Sequence, residues 1–532
     1  MPEIARRDFL GAVSGAVAAL AARRVRAASP RRISIALAAR SPQTLNPSRT
    51  TLGADNWACR QIFDTLVVPE DGTFALTPDA FKPSLAESWD SSPDAKTWTF
   101  HLRRNVPFHK GYGDLTADDV AFTFGRLIDP KVVVSGKVLY ANIDRVEAVN
   151  PQTVGFTLKQ PDPTFCGSSI YTMSGNIISR KAFEEKGDKF AFDPVGTGPF
   201  QFDRVDFSKG VYLKAFPQHF RGPPASPELD ILYILDTTAR TLAFLSGQVD
   251  MIEGARTPGW MNSIKQRKPD TAFDATKPGS VNTLHMNLTR KPFDNLKVRE
   301  AVRYAIDRKA LVAAYGPMGG VIWGLIPVEF PGSVSDKNLP PDLQYPYDPD
   351  KAKQLLAEAG YPNGVAFSCF TSQREDYSAI MLMVQEQLRK VGFRVDMQII
   401  DHATFHSQSD HDLNTLIMLS SSYPPVPTQP LLEQLSSHAV VKPDGTGGDN
   451  YSHYGVAIPG VDDLLAKVLE EPDFAKRAAL CQAVERQVLK DLPVIGLLTL
   501  SYVIARNPRV SLGYEVKSGY AYWPLRTAQP AA

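Results

Sequence analysis

The segment 229–252 constrains the fold most. Leu229-Asp230-Ile231-Leu232-Tyr233-Ile234-Leu235 is an almost wholly apolar run of strand length. Thr238–Leu245 reads as a helix and stops at Gly247, a residue that takes the backbone a helix end needs. Val249-Asp250-Met251-Ile252 is a second short strand. Strand, helix, strand in that order predicts an α/β layer on a mixed sheet.

The rest of the chain fits such a layer. Residues 33–39 read as a buried first strand, and residues 57–68 carry Trp57, Ile62, Phe63 and Leu66 at helical spacing. Residues 97–103 alternate as a half-buried strand does. Thr116 followed by Asp119 marks a helix start. Residues 144–158 hold two strands around the Asn150-Pro151 turn. From Asn295 onward the pattern is helical: 298–313 as one helix, then 351–359, 380–391, 460–470 and 473–490, with a strand over 395–400. Pro and Gly gather at 317–346 and 423–430, and 443–448 is polar and Gly-rich. Long loops of this kind serve binding more often than packing.

Composition narrows the function. The chain has 532 residues, 43% hydrophobic and 22% charged, which is globular and long enough for about three domains. A net charge of +1 argues against a dedicated nucleic-acid binder, which would show a basic excess or stripe. The four cysteines, Cys59, Cys166, Cys369 and Cys481, lie more than 100 residues apart. No C-x-x-C occurs, so zinc ribbons and thioredoxin-like chemistry drop out, and buried free thiols are expected.

The N-terminus is an export signal. Arg6-Arg7-Asp8-Phe9-Leu10 matches the twin-arginine pattern. A weakly apolar stretch to Ala22 and the basic segment Arg23–Arg26 follow, with cleavage expected after Ala27 or Ala28. The 14 residues of Phe9–Ala22 fall short of the roughly 20 a spanning helix needs. Removing residues 1–28 takes away five basic and two acidic residues and leaves a net charge of −2. The expected location is a bacterial periplasm. ATP and NAD(P)H are not expected there, which disfavours kinases and dehydrogenases.

Several motifs, in order along the chain, resemble family 5 extracellular solute-binding proteins of ABC importers, the oligopeptide, dipeptide and nickel class. They are Leu85-Ala86-Glu87-Ser88-Trp89, then Trp98-Thr99-Phe100-His101-Leu102-Arg103 through Phe108-His109, and Leu115-Thr116-Ala117-Asp118-Asp119-Val120. Gly196-Thr197-Gly198-Pro199-Phe200 follows, then Met286-Asn287-Leu288 with Pro292-Phe293-Asp294-Asn295 and Val298-Arg299-Glu300-Ala301-Val302. Tyr347-Asp348-Pro349 through Ala359-Gly360-Tyr361 completes the set. One departure is Lys110-Gly111, where the family has Asp-Gly. The resemblance runs from about residue 33 to about 515. It implies a two-lobed periplasmic binding protein fold of type II, in the large class with an extra domain, its lobes joined by a hinge. Lobe I is expected at 30–75, 194–288 and 500–532, the extra domain II at 76–193, and lobe III at 289–499.

The motif residues have structural readings first. Trp89, Trp98 and Phe100 suit a core. Arg299, Arg303 and Asp307 share a helical face and predict a salt-bridge network. The glycines at 196 and 198 suit an unusual backbone at a domain crossing. Catalytic templates fail: neither G-x-S-x-G nor H-E-x-x-H occurs, so no enzyme and no cofactor are expected. His402 and His406 could share a metal on a helix, but they read as a solvated helix end, and no metal is expected.

The resemblance also indicates where ligand is held. In dipeptide-binding relatives, a loop after a late strand supplies an Asp for the peptide ammonium. The matching stretch here, 418–430, has neither that Asp nor its Trp. Burying an ammonium without a carboxylate costs several kcal/mol, which disfavours a free peptide held in that way. Arg374 falls near the relatives' carboxylate-gripping Arg, with a surface pair to Glu375 or Asp376 as the alternative. Asn46, Trp57, Tyr171, Asn176, Trp323 and Tyr423 complete the candidate ligand contacts. The implied function is capture of a peptide-like or other small organic solute between the lobes and delivery to an inner-membrane ABC permease, by a monomer. A periplasmic chaperone or sensory module, and a periplasmic hydrolase, are the alternatives.

Overall fold

The computed structural model describes residues 32–530, so the export signal lies outside the described residues. No helix among them is long and apolar enough to cross a membrane. The chain forms two bodies linked by one large sheet. Its strand order is Leu416–Ser421, Ala272–Met286, Val494–Arg506, Met251–Glu253, Arg32–Leu37, Glu228–Tyr233, Gly210–Ala215 and Phe200–Asp206. Arg32–Leu37 runs parallel to both of its neighbours and the other pairings are antiparallel, so the sheet is mixed.

Two long strands, Ala272–Met286 and Val494–Arg506, cross from one body to the other. Ala272–Thr276 pairs with Tyr502–Arg506 beside the lobe I strand Met251–Glu253. Ser280–His285 pairs with Val494–Leu500 beside the lobe III strand Leu416–Ser421. The register shifts between Thr276 and Ser280, and again between Asn282 and Thr283. Ladder hydrogen bonds are interrupted at such shifts, and the sheet bends there. These strands are the hinge.

The extra domain is an antiparallel sheet, Ala86–Ser91, Thr97–Leu102, Thr153–Leu158 and Ile143–Asn150, covered by the helix Ala117–Ile128. Thr116 and Asp119 form the capping box that starts this helix. Phe100, Phe124 and Phe156 belong to the same continuous core as Ile35 and Leu37, so the four-stranded sheet packs directly against the first strand of the large sheet's body. Lobe III has its own core around Val302, Leu356, Ile380, Phe393 and Leu497.

Three sequence readings change. The helix expected from Trp57 instead spans Gly53–Ile62, because the Ile62 carbonyl accepts the Gly198 N–H at 2.9 Å rather than continuing the helix. Gly196 and Gly198 are needed for close approach, not for positive φ. A Cβ at Gly196 would lie 2.2 Å from the Ile62 carbonyl oxygen, and one at Gly198 2.5 Å from that of Gln61.

The third change is in the helix expected over 298–313, which breaks into Leu296–Ala305 and Arg308–Tyr315. Ile306 is extended, and the Asp307 carboxylate caps the second helix by accepting the Ala310 N–H at 3.0 Å. The break undoes the expected salt-bridge network. Arg299 donates to the carbonyls of Asp491 and Phe293, and Arg303 to those of Gly496 and Trp323. The four cysteines are buried and free.

Candidate functional site

Where lobe I, the extra domain and the C-terminal segment meet, a small cavity of about 60 Å³ opens. Arg60, in the last turn of the helix Gly53–Ile62, supplies its most distinctive group. The residue is 6% exposed, and its Nε and Nη2 have no hydrogen-bond partner. Its guanidinium lies over the rings of Tyr171, at 4.6 Å, and Tyr522, at 5.7 Å. Tyr520 stacks on Tyr522 at 5.6 Å and meets Tyr171 at 6.3 Å. Ring faces hold a guanidinium while leaving its N–H edge free, so Arg60 is positioned, with a hydrogen bond to the Tyr171 side chain and with Nε and Nη2 open.

The other charges of the cavity are differently placed. Asp64 accepts from Thr197 Oγ1 at 2.9 Å and Arg221 Nη2 at 3.3 Å, with His219 Nε2 at 3.4 Å. Burial alone would raise its pKa, but His219, Arg221 and Thr197 outweigh burial and hold it at about 2. Arg221 is therefore engaged. Asp71 lines the same cavity, and burial pushes its carboxyl up against the pull of Arg221, Arg526 and Arg60.

A second set of groups joins the two bodies at the hinge. Arg256, just beyond the lobe I strand Met251–Glu253, reaches Asp376 at the start of the lobe III helix Glu375–Lys390. Its Nη1 donates to Ser280 Oγ at 2.8 Å, and its guanidinium lies 4.5 Å from the Tyr502 ring centre. Burial would raise the Asp376 pKa, but Arg256 and Arg374 prevail and hold it below the usual carboxylate range. Ser422 and Tyr502 hydrogen-bond at 2.9 Å. Phe74 packs between Phe330 of lobe III and Tyr520, at 5.6 and 5.2 Å.

Of the seven candidate residues, Tyr171 lines this cavity. Trp57 is buried behind it, edge-on to the lining residue Trp523 at 4.8 Å. Asn46 closes a local turn by accepting from the Ser48 N–H and O–H. Asn176 donates to the Met173 carbonyl at 2.7 Å. Trp323 lies under Arg308 at 4.6 Å in lobe III. Tyr423 is buried and accepts from Gln434 Nε2 at 2.9 Å. Arg374 grips Asp376 through Nε at 3.1 Å and Nη2 at 2.9 Å, with its side chain 49% exposed. This is the surface-pair alternative. His402 and His406 meet edge to face, and His402 Nδ1 pairs with Ser372 Oγ at 2.8 Å. Among the described residues no group of three His, Cys, Asp or Glu is placed to hold a metal.

Sequence reasoning missed Arg60, Asp71, Arg256, Asp376, Tyr520 and Tyr522. One signal was available: Tyr520-Ala521-Tyr522-Trp523 is dense in aromatics where no core strand was expected. Nothing local marked Arg60 or Arg256.

Residues 80–439 match the family model described as bacterial extracellular solute-binding proteins, family 5 Middle. The chain belongs to that family. It is a solute-binding protein of the ABC importer class, and members of the family are binding proteins. The glutathione-binding protein GsiB of Escherichia coli K12 is 29% identical over 83% of this chain and 85% of its own length. MoaA of Agrobacterium tumefaciens R10, solved with mannopinic acid, is 30% identical, with a TM-score of 0.80 over 95% of this chain and all of that one. DppA of Helicobacter pylori, solved with the peptide STSA, is 25% identical, with a TM-score of 0.75 over 94% of this chain and 98% of that one. The two-lobed fold of the family is the fold described above.

Proposed function

We propose that this protein captures a small peptide-like or amino-acid-derived solute between its lobes in the periplasm and hands it to an inner-membrane ABC permease. The observation that carries this reading is the hinge. Two continuous strands join the bodies, while side-chain contacts such as Arg256–Asp376 and Phe74–Phe330 close them. A solute that touches both bodies favours the closed state, because its contacts are complete only there. Glutathione, mannopinic acid and a peptide are bound by relatives that match most of the chain. Export through Arg6-Arg7-Asp8-Phe9-Leu10 by the twin-arginine route, with cleavage near Ala28, and action as a monomer belong to the same reading.

The test is a thermal-shift series with glutathione, the dipeptide Met-Leu and mannopinic acid, joined to small-angle scattering. A bound solute at 100 times its Kd adds about 2.7 kcal/mol and shrinks the radius of gyration. Solute binding with no change in radius counts against closure. For export, replacing Arg6 and Arg7 by Lys should leave the precursor in the cytoplasm.

A further inference from the structure

We infer that Arg60 is the carboxylate-binding residue of this protein, and that its solute carries a free carboxylate held in the cavity walled by Tyr171, Tyr520 and Tyr522. The inference rests on the solute-binding reading above and adds the chemical class of the solute and the group that grips it. A buried cation needs partners, and leaving its donors unmet is costly. Arg60 is buried, carries unpartnered Nε and Nη2, and lines the cavity. By contrast, Arg221 meets Asp64, Arg256 meets Asp376, and Arg506 meets Asp274 at 2.6 Å. Arg374, the position resembling the relatives' carboxylate grip, is spent on Asp376.

The surroundings select among anions. A guanidinium fork matches a planar carboxylate through two parallel hydrogen bonds. The cavity also presents Asp64, Asp71 and Glu70 against Arg60, Arg221 and Arg526. Those carboxylates oppose a dianion such as phosphate, and Asp71 can accept an N–H from the solute. The tyrosine walls suit an apolar or polyhydroxylated body beside the carboxylate.

The test uses the full exported chain, ligand-free after unfolding and refolding, in wild-type and Arg60→Met forms. Glutathione, Met-Leu and mannopinic acid are titrated calorimetrically as free acids and as methyl esters. The peptides and the sugar-derived acid separate the two sources of carboxylate. In the wild type the ester should bind about ten- to a hundredfold more weakly than its acid. Arg60→Met should weaken the acid to the ester's level and leave the ester unchanged. Ligand-free Arg60→Met should also melt a few degrees higher, because it removes an unpaired buried charge. An ester that binds like its acid, an acid indifferent to Arg60→Met, or a ligand-free variant that melts lower overturns the inference while solute binding stands. If no probe binds, the solute released by denaturing protein taken from its own periplasm replaces them. A released solute without an acidic group overturns the carboxylate assignment alone. No bound solute at all overturns both readings.

Discussion

The Arg256 guanidinium of lobe I closes on the Asp376 carboxylate of lobe III, with Tyr502 of a hinge strand beneath it. Asp376 is shared, because Arg374 reaches it from its own lobe. One carboxylate thus sets both the interlobe contact and the orientation of a neighbouring arginine. Removing Asp376 leaves two cations facing each other, whereas removing Arg256 leaves Asp376 still paired.

Asp376→Asn is therefore expected to be the more disruptive change. Breaking a buried pair costs about 3–5 kcal/mol. The ligand-free variant should have a larger radius of gyration, and solute affinity should fall about tenfold or more, since closure is part of binding. Arg256→Gln should shift both in the same direction and by less. Equal effects of the two substitutions would show that Arg374 does not share the carboxylate.

Arg374→Gln is expected to leave solute affinity within about fivefold of wild type, because a half-exposed ion pair contributes less than about 1 kcal/mol. Calorimetry with the probe that binds best decides it. A loss of two orders of magnitude would return the carboxylate grip to Arg374.

Glu485 gives stability a pH dependence. It is fully buried, and Oε1 accepts from the Leu325 and Ile326 N–H groups at 2.6 and 3.3 Å. Burial outweighs those bonds and pushes the carboxyl up to about 8, from an ordinary value of 4.5. Between these values the folded state holds a proton that the unfolded state has lost. Stability therefore falls as pH rises through the window, by at most about 1.4 kcal/mol per pH unit. Glu485→Gln should remove this slope. Calorimetric melting of both proteins at pH 5, 6, 7 and 8 should show curves that diverge with pH, and parallel curves would falsify the assignment.

The thiols should be silent in the native protein. Burial pushes Cys59 and Cys166 well up, and Cys369 and Cys481 to about 12. Since the thiolate is the reactive form, Ellman's reagent should titrate four thiols only after unfolding, and dithiothreitol should not shift the melting temperature. Fast reaction of any thiol in the folded state contradicts the burial.

The sequence by itself determined the elements and the family. Apolar runs such as Leu229–Leu235 report their own strand, and Thr116 with Asp119 reports its own helix start, because both signals rest on neighbours within a few residues. Motifs in order then carried the family, and with it two lobes and a hinge. The hinge strands themselves went unread. Ala272–Met286 mixes Thr276, Asn282, Thr283 and His285 among apolar residues, and all four are buried by neighbouring strands rather than exposed on one face. Alternation fails as a signal where both faces of a strand are covered.

Tertiary structure alone decided the site. Arg60 and Tyr522 are 462 residues apart, Arg256 and Asp376 are 120 apart, and no local pattern links either pair. Whether an arginine is a surface group, a bond donor to carbonyls or an open ligand site depends on what the fold brings to its N–H edge. The chain has 58 basic residues, and composition treats Lys and Arg alike. Among the described residues, Arg60 is the buried arginine with two unpartnered nitrogens, where Arg221 and Arg303 have one each, and burial is a property of the packed molecule.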